Sequence, residues 1–150
     1  MDMCYSLALH MLVLISQSDV PLSSARIADS TGANASQIRK IAARLNQSGI
    51  VKSRKGAAGF HLAKNPADIT LLDVYRSVYQ CDKVQLLTMH RNPNDRCAVG
   101  RYIRPVLTSV FGAAEASAAR TMSETTIADL TDQVCAAAEN EKNNVTRPDK

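Results

Sequence analysis

Tryptophan is absent, and phenylalanine and tyrosine together supply six of 150 residues. With 45% hydrophobic residues but few rings, the core is expected to be built from leucine, isoleucine, valine and alanine, which suits a mainly helical protein. Long apolar runs are also missing. The longest, Leu7 to Ile15, is interrupted by His10 and falls far short of the ~20 residues of a membrane span. The N-terminus carries Asp2 and no basic region, so it does not read as a signal peptide. These absences point to a cytoplasmic protein with no membrane partner. None of the four cysteines (Cys4, Cys81, Cys97, Cys135) forms a C-x-x-C pair, and in a cytosolic chain they are not expected to be structural disulfides. Paired carboxylates, a nucleophile elbow and a phosphate-cradling glycine loop are all lacking. The chain therefore does not read as an enzyme, and no cofactor or metal is expected.

What is present is a local excess of positive charge. From Arg26 to Lys64 there are eight basic side chains against one carboxylate, Asp29, whereas the rest of the chain beyond Lys64 is close to neutral. A basic block inside a near-neutral protein points to a polyanion surface on one part of the molecule.

That block coincides with a motif. Residues 3 to 17 are apolar or small except for His10, Ser16 and Gln17, and read as a buried helix touching more than one partner. His10 reads there as a core histidine, and Cys4 and Cys135, in apolar contexts, as small core residues. After Pro21, Ser23 is a good N-cap for a helix carrying Ile27 and Ala28 inward and ending at Gly32. Asn34 opens the next helix, with Gln37 three residues on in a capping-box pattern. Ile38, Ile41, Ala42 and Leu45 give it a stripe at i, i+3, i+4 and i+7, and Gly49 ends it. Two short helices joined by a glycine-containing turn make a helix-turn-helix. Ile50 to Lys55 then reads as a strand, Gly56 to Gly59 as a turn, and Phe60 to Ala63 as a returning strand, which together form a basic wing.

Beyond Pro66, Thr70 caps a helix carrying Leu71, Leu72, Val74, Tyr75 and Val78. Residues 88 to 97 are polar, contain Pro93 and read as a loop. A long helix follows from about Val99 to Met122, with Ile103, Val106, Leu107, Val110, Phe111, Ala114 and Ala118 along one side. Pro105 lies inside that pattern, tolerable in a first turn but kinking a helix that begins much earlier. Thr126 with Asp129 looks like another cap, opening a last helix through Ala138. The expected fold is thus mainly α with a small two-stranded β wing. Its division is a winged helix-turn-helix over 1–80, a loop and possible sensing segment over 81–98, dimerisation helices over 99–138 and a disordered tail over 139–150.

Residues Ser24 to Leu45, Gly49-Ile50-Val51, Gly56 to Ala63, Pro66 to Tyr75, the Cys97 loop, the long helix and Thr126 to Leu130 together resemble the Rrf2 family of bacterial winged-helix repressors, the group that includes IscR, NsrR and CymR. The resemblance spans about nine-tenths of the chain, and the wing-to-helix stretch is its specific part. It implies a homodimer formed through the long C-terminal helix and bound to dyad-symmetric promoter DNA. Several members carry an iron–sulphur cluster on three cysteines in the loop before that helix. This chain places only Cys97 there, has Cys81 sixteen residues earlier, and has Gly100 where a cluster-binding relative can offer histidine. It resembles the cluster-free branch.

On this reading Asn34 opens the recognition helix, and Ser36, Gln37, Arg39 and Lys40 project into the major groove of double-stranded DNA. Arg44, a full turn further on, suits a phosphate. Lys52, Arg54 and Lys55 of the wing suit phosphates or the minor groove, with His61 beside them. Cys97, between Arg96 and Arg101 and just before a helix, reads either as a redox-sensing thiol or as a bystander in the loop. His90 with Cys81 or Cys97 is too scattered for a metal site. The expected function is a sequence-specific transcriptional regulator answering to an unknown small-molecule or redox effector. The alternatives are an interaction module that regulates a partner enzyme and an RNA-binding winged-helix protein.

Overall fold

The computed structural model describes residues 3–53 and 59–145. Its elements run α1 (Cys4–Ser16), α2 (Ser24–Thr31), α3 (Ala35–Gln47), β1 (Val51–Ser53), β2 (Phe60–Leu62), a 3-10 turn (Pro66–Asp68), α4 (Leu71–Tyr79), α5 (Ala98–Glu124) and α6 (Ile127–Val145). The core lies around α1. Ala8, Met11 and Leu12 are fully buried there and meet Ile27 of α2, Ile38, Ile41 and Leu45 of α3, Val74 and Val78 of α4, and Ile127 of α6. Because α1 packs against α2, α3, α4 and α6, its all-round hydrophobicity has a cause: it has few faces left for water.

The ribbon is two antiparallel three-residue strands, with Val51 opposite Leu62, Lys52 opposite His61 and Ser53 opposite Phe60. A third piece of backbone supports it. Leu22 and Phe60 exchange N–H···O bonds of 3.0 and 2.8 Å, so the segment after Pro21 is stitched to the wing. Gly59 permits this closeness, since a Cβ there would lie 2.8 Å from the Pro21 Cβ, and its φ is +146°. The expected wing residues Arg54 and Lys55 lie outside the described residues.

Past α4 the chain runs as an irregular loop from Cys81 to the foot of α5, with a turn at Asp95 and Arg96. The Tyr75 hydroxyl fixes one point of it, donating to the Gln85 carbonyl at 3.0 Å and accepting from the Gln85 N–H at 3.1 Å. The Glu115 carboxylate fixes the next two, accepting from the N–H groups of Leu86 and Leu87 at 2.8 and 3.0 Å. Helix α5 begins at Ala98, so Pro105 sits in its interior rather than its first turn. At the far end, Leu71 N–H donates to the Thr125 carbonyl and Ile127 N–H to the Ile69 carbonyl, both at 2.9 Å, so the α5–α6 corner is pinned to the start of α4.

Three expectations are corrected here. Helix α6 continues to Val145, beyond the Ala138 at which apolar residues run out. Glu139, Glu141 and Lys142 are good helix formers, so a helix already nucleated by packed residues propagates without an apolar stripe. Cys135 is exposed, because only the first turns of α6 pack: Ile127 is buried and Leu130 half-buried. His10 is exposed too, and its Nε2 lies 3.3 Å from the Ser30 hydroxyl of α2 rather than within the core.

Candidate nucleic-acid interface

Local chemistry sets the geometry of the helix pair. The Ser23 hydroxyl accepts from the Arg26 N–H at 3.2 Å and starts α2. Gly32, at φ +68°, ends it in the left-handed conformation. Two residues on, Asn34 Oδ1 accepts from the Gln37 N–H at 2.8 Å and starts α3. Among the described contacts, the reciprocal bond from the Gln37 side chain that would complete a capping box is not made, which leaves its amide for other partners.

Burial of Ile38, Ile41, Ala42 and Leu45 decides which face of α3 looks outward. Ser36, Arg39 and Lys40 lie exposed on the opposite face, and Gln37 sits half-buried at its flank. Ala43 shares the exposed face and was missed by reading only the polar residues. A 100° wheel would have found it, and a small apolar side chain there matches a thymine methyl. The Arg39 guanidinium reaches the Ser24 hydroxyl at 3.3 Å, so the foot of α2, with exposed Arg26, borders the same surface.

Arg44 behaves differently from the phosphate contact expected of it. Its Nη1 donates at 2.7 Å to the Val78 carbonyl near the end of α4, and its own carbonyl accepts from the Ser77 hydroxyl at 3.1 Å. These bonds brace α3 against α4, and an arginine near a helix end is well suited to satisfying the last carbonyls. On the wing, Lys52 is exposed and shares the outer face with His61. His61 is half-buried, and among the described residues its Nδ1 finds no partner. Less of its ring is free to meet a ligand than of the Lys52 side chain. The described part of the candidate surface is thus Asn34 at the N-cap of α3, Ser36, Gln37, Arg39 and Lys40 on α3, and Lys52 and His61 on the wing.

Cys97 lies elsewhere, exposed at the N-cap of α5. The Gly100 and Val99 N–H groups beside its sulfur at the helix start lower its thiol pKa below the ordinary 9.0. The cause is the amides of a helix start, not the flanking arginines. The residues do not fit an iron–sulphur cluster, which takes about four ligands, mostly thiolates. Among the described residues, no three His, Cys, Asp or Glu side chains converge as a metal site would require. A Cβ on Gly100 would collide with the Asn94 carbonyl, so no side-chain ligand fits at that position while the loop stays as it is. No helix among the described residues is long and apolar enough to cross a membrane.

Comparison with known proteins agrees with this fold. Residues 3–133 match the model of the Rrf2 family, described as an iron-dependent transcriptional regulator. YwnA of Bacillus subtilis (strain 168), described as an HTH-type transcriptional regulator, is 42% identical over 106 residues, covering 71% of this chain and 77% of YwnA. A crystal structure of a protein described as DNA-binding superposes with a TM-score of 0.69 at 33% identity, over 85% of this chain and 97% of that one. IscR of T. potens shares the fold, with a TM-score of 0.67 at 21% identity over 89% of this chain and 87% of its own. So does CymR, the global cysteine regulator of B. subtilis, with a TM-score of 0.64 at 16% identity over 87% and 94%.

Proposed function

This chain belongs to the Rrf2 family of transcriptional regulators, and we propose that it acts as a homodimeric repressor of a dyad-symmetric operator. It is a DNA-binding regulator and not an enzyme. The proposal divides its contacts by element. Ser36, Gln37, Arg39 and Lys40 of α3 read base edges in the major groove, with Asn34 holding the helix start at the phosphates. Lys52, the wing residues Arg54 and Lys55, and more weakly His61, grip the backbone. The work is done in the cytoplasm.

The observation that carries this reading is the orientation of α3. Its apolar stripe is sealed against α1 and α4, while the opposite face offers Arg39 and Lys40 beside a wing that presents Lys52. Dimerisation rests on α5. None of its 27 residues is buried, and Val99, Tyr102, Val106 and Val110 are each more than half exposed along one side. An apolar side on a helix about 40 Å long calls for a second copy of the same helix.

Selection of bound duplexes from a random pool supplies the operator, and binding across a salt series then separates the two kinds of contact. Arg39→Ala or Lys40→Ala is expected to weaken the selected duplex by about 1–3 kcal/mol per half-site and to relax its sequence preference. Lys52→Ala is expected to weaken selected and scrambled duplexes alike and to flatten the salt slope by about one unit per contact. Equal losses on both duplexes for Arg39→Ala and Lys40→Ala would show that α3 only grips the backbone.

A further inference from the structure

A second concave site lies away from the DNA face, where α1, α4 and the loop before α5 meet. Tyr75 and Tyr79 of α4 pack with ring centroids 4.7 Å apart and planes tilted by 56°, and Tyr5 of α1 meets Tyr75 edge-on at 5.4 Å. Together with Cys81, Gln85 and Leu86 they line a cavity of about 490 Å³, with Met3 and Ser6 at its mouth. That volume falls in the range of small-molecule sites. The Tyr5 hydroxyl is committed to the Leu71 carbonyl at 3.0 Å and the Tyr75 hydroxyl to Gln85, so these two tyrosines offer ring surface rather than donors. No lining side chain carries a formal charge, and burial pushes the Tyr5 phenol up to about 12, so it stays neutral.

We propose that this tyrosine-walled cavity binds an uncharged aromatic molecule of one or two rings, and that its occupancy regulates DNA binding. A charged ligand would lose water without gaining a counter-ion, whereas a flat neutral ring gains edge-to-face and stacked contacts. The Gln85 amide and the Cys81 thiol are the polar groups that can orient it, whereas the Ser6 hydroxyl already donates to the Met3 carbonyl at 3.0 Å.

The regulatory half rests on the DNA-binding reading above and on what the walls hold. Tyr79 follows directly after Ser77 and Val78, whose hydroxyl and carbonyl bond to Arg44 of α3, so a shift of this end of α4 moves the recognition helix. The opposite wall, Gln85 and Leu86, is tethered through Glu115 to α5. A ligand wedged between these walls therefore bears on both the reading helix and the arm that sets the spacing of two such helices.

The probe is 2-naphthol, titrated calorimetrically into the full chain without DNA, with benzoate and benzyltrimethylammonium as charged counterparts. Saturable binding of 2-naphthol at one per chain is expected. It should also change tyrosine emission, since tryptophan is absent and three of the four tyrosines form the wall. Tyr79→Leu should weaken it about tenfold, and Ser6→Phe, an exposed position at the mouth, should block it while circular dichroism stays unchanged. Saturating 2-naphthol should shift affinity for the selected duplex about fivefold or more. Absence of saturable binding, equal binding of either charged compound, or binding that survives both substitutions overturns the site. Binding that leaves operator affinity unmoved overturns its regulatory role. Failure of the chain to prefer any duplex is instead a failure of the regulator reading, and leaves the calorimetric result standing by itself.

Discussion

Arg44 and Cys97 show how much a single side chain's role depends on its neighbours. By sequence, Arg44 is one more cation in a basic block; in the structure its guanidinium is held by the Val78 carbonyl. Arg44→Ala is therefore expected to cost about 1 kcal/mol of stability, read as a lower urea midpoint with unchanged slope. Lys52→Ala, which removes an exposed cation, should leave that midpoint in place. Cys97 makes the opposite point, because its environment was partly legible: a cysteine just before a helix is near unpaired N–H groups whatever follows. A lowered thiol pKa means that thiolate appears at lower pH than for a free cysteine. The rate of Cys97 alkylation by iodoacetamide should thus rise through a midpoint below 9.0, and that midpoint should climb to the ordinary value when the chain is unfolded in urea.

At the scale of elements, the caps were the most readable feature. Ser23, Gly32, Asn34, Thr70 and Thr126 all stand where the helices start or stop, because capping is a contest between a side chain and the backbone within three residues. Asn34→Ala is expected to destabilise the protein by about 1 kcal/mol, measured by urea unfolding, and to weaken operator binding as the first turn of α3 frays. The wing was readable as a strand pair from its alternation, yet its support was not. The pairing of Leu22 with Phe60 joins residues far apart in the chain, and nothing local to Leu22 announces it. Helix α6 misled in the other direction, since loss of an apolar pattern marks loss of packing, not the end of a helix.

The molecule as a whole is a packed winged helix-turn-helix from which α5 extends with no buried residue. Reading α5 from sequence placed its apolar residues on one side. The structure divides them: Ile103, Leu107 and Phe111 are half-buried, whereas Val99, Tyr102, Val106 and Val110 face solvent. The second set is the seam proposed for the partner. Val110 is 56% exposed in a single chain, so Val110→Asp should leave the protomer folded while placing two desolvated carboxylates in a dimer seam. Light scattering should then report a monomer with native circular dichroism, where the unaltered protein is expected to scatter as a dimer. An unaltered protein that scatters as a monomer at micromolar concentration would refute the seam.

Periodicity, capping chemistry and charge placement by themselves determined the order of helices, the helix-turn-helix, the existence of the wing and the side of α3 that faces outward. Each depends on residues within about one or two helical turns of each other, and the buried stripe of α3 leaves a single face for Arg39 and Lys40. Only the tertiary structure decided that Arg44 braces α4, that His10 and Cys135 are exposed, and that three tyrosines from α1 and α4 line an open cavity beside the loop before α5. Tyr5 and Tyr75 stand seventy positions apart, and what brings them together is the burial of α1 against α4. Pairing of that kind is set by the shape of the whole core, which no local pattern contains.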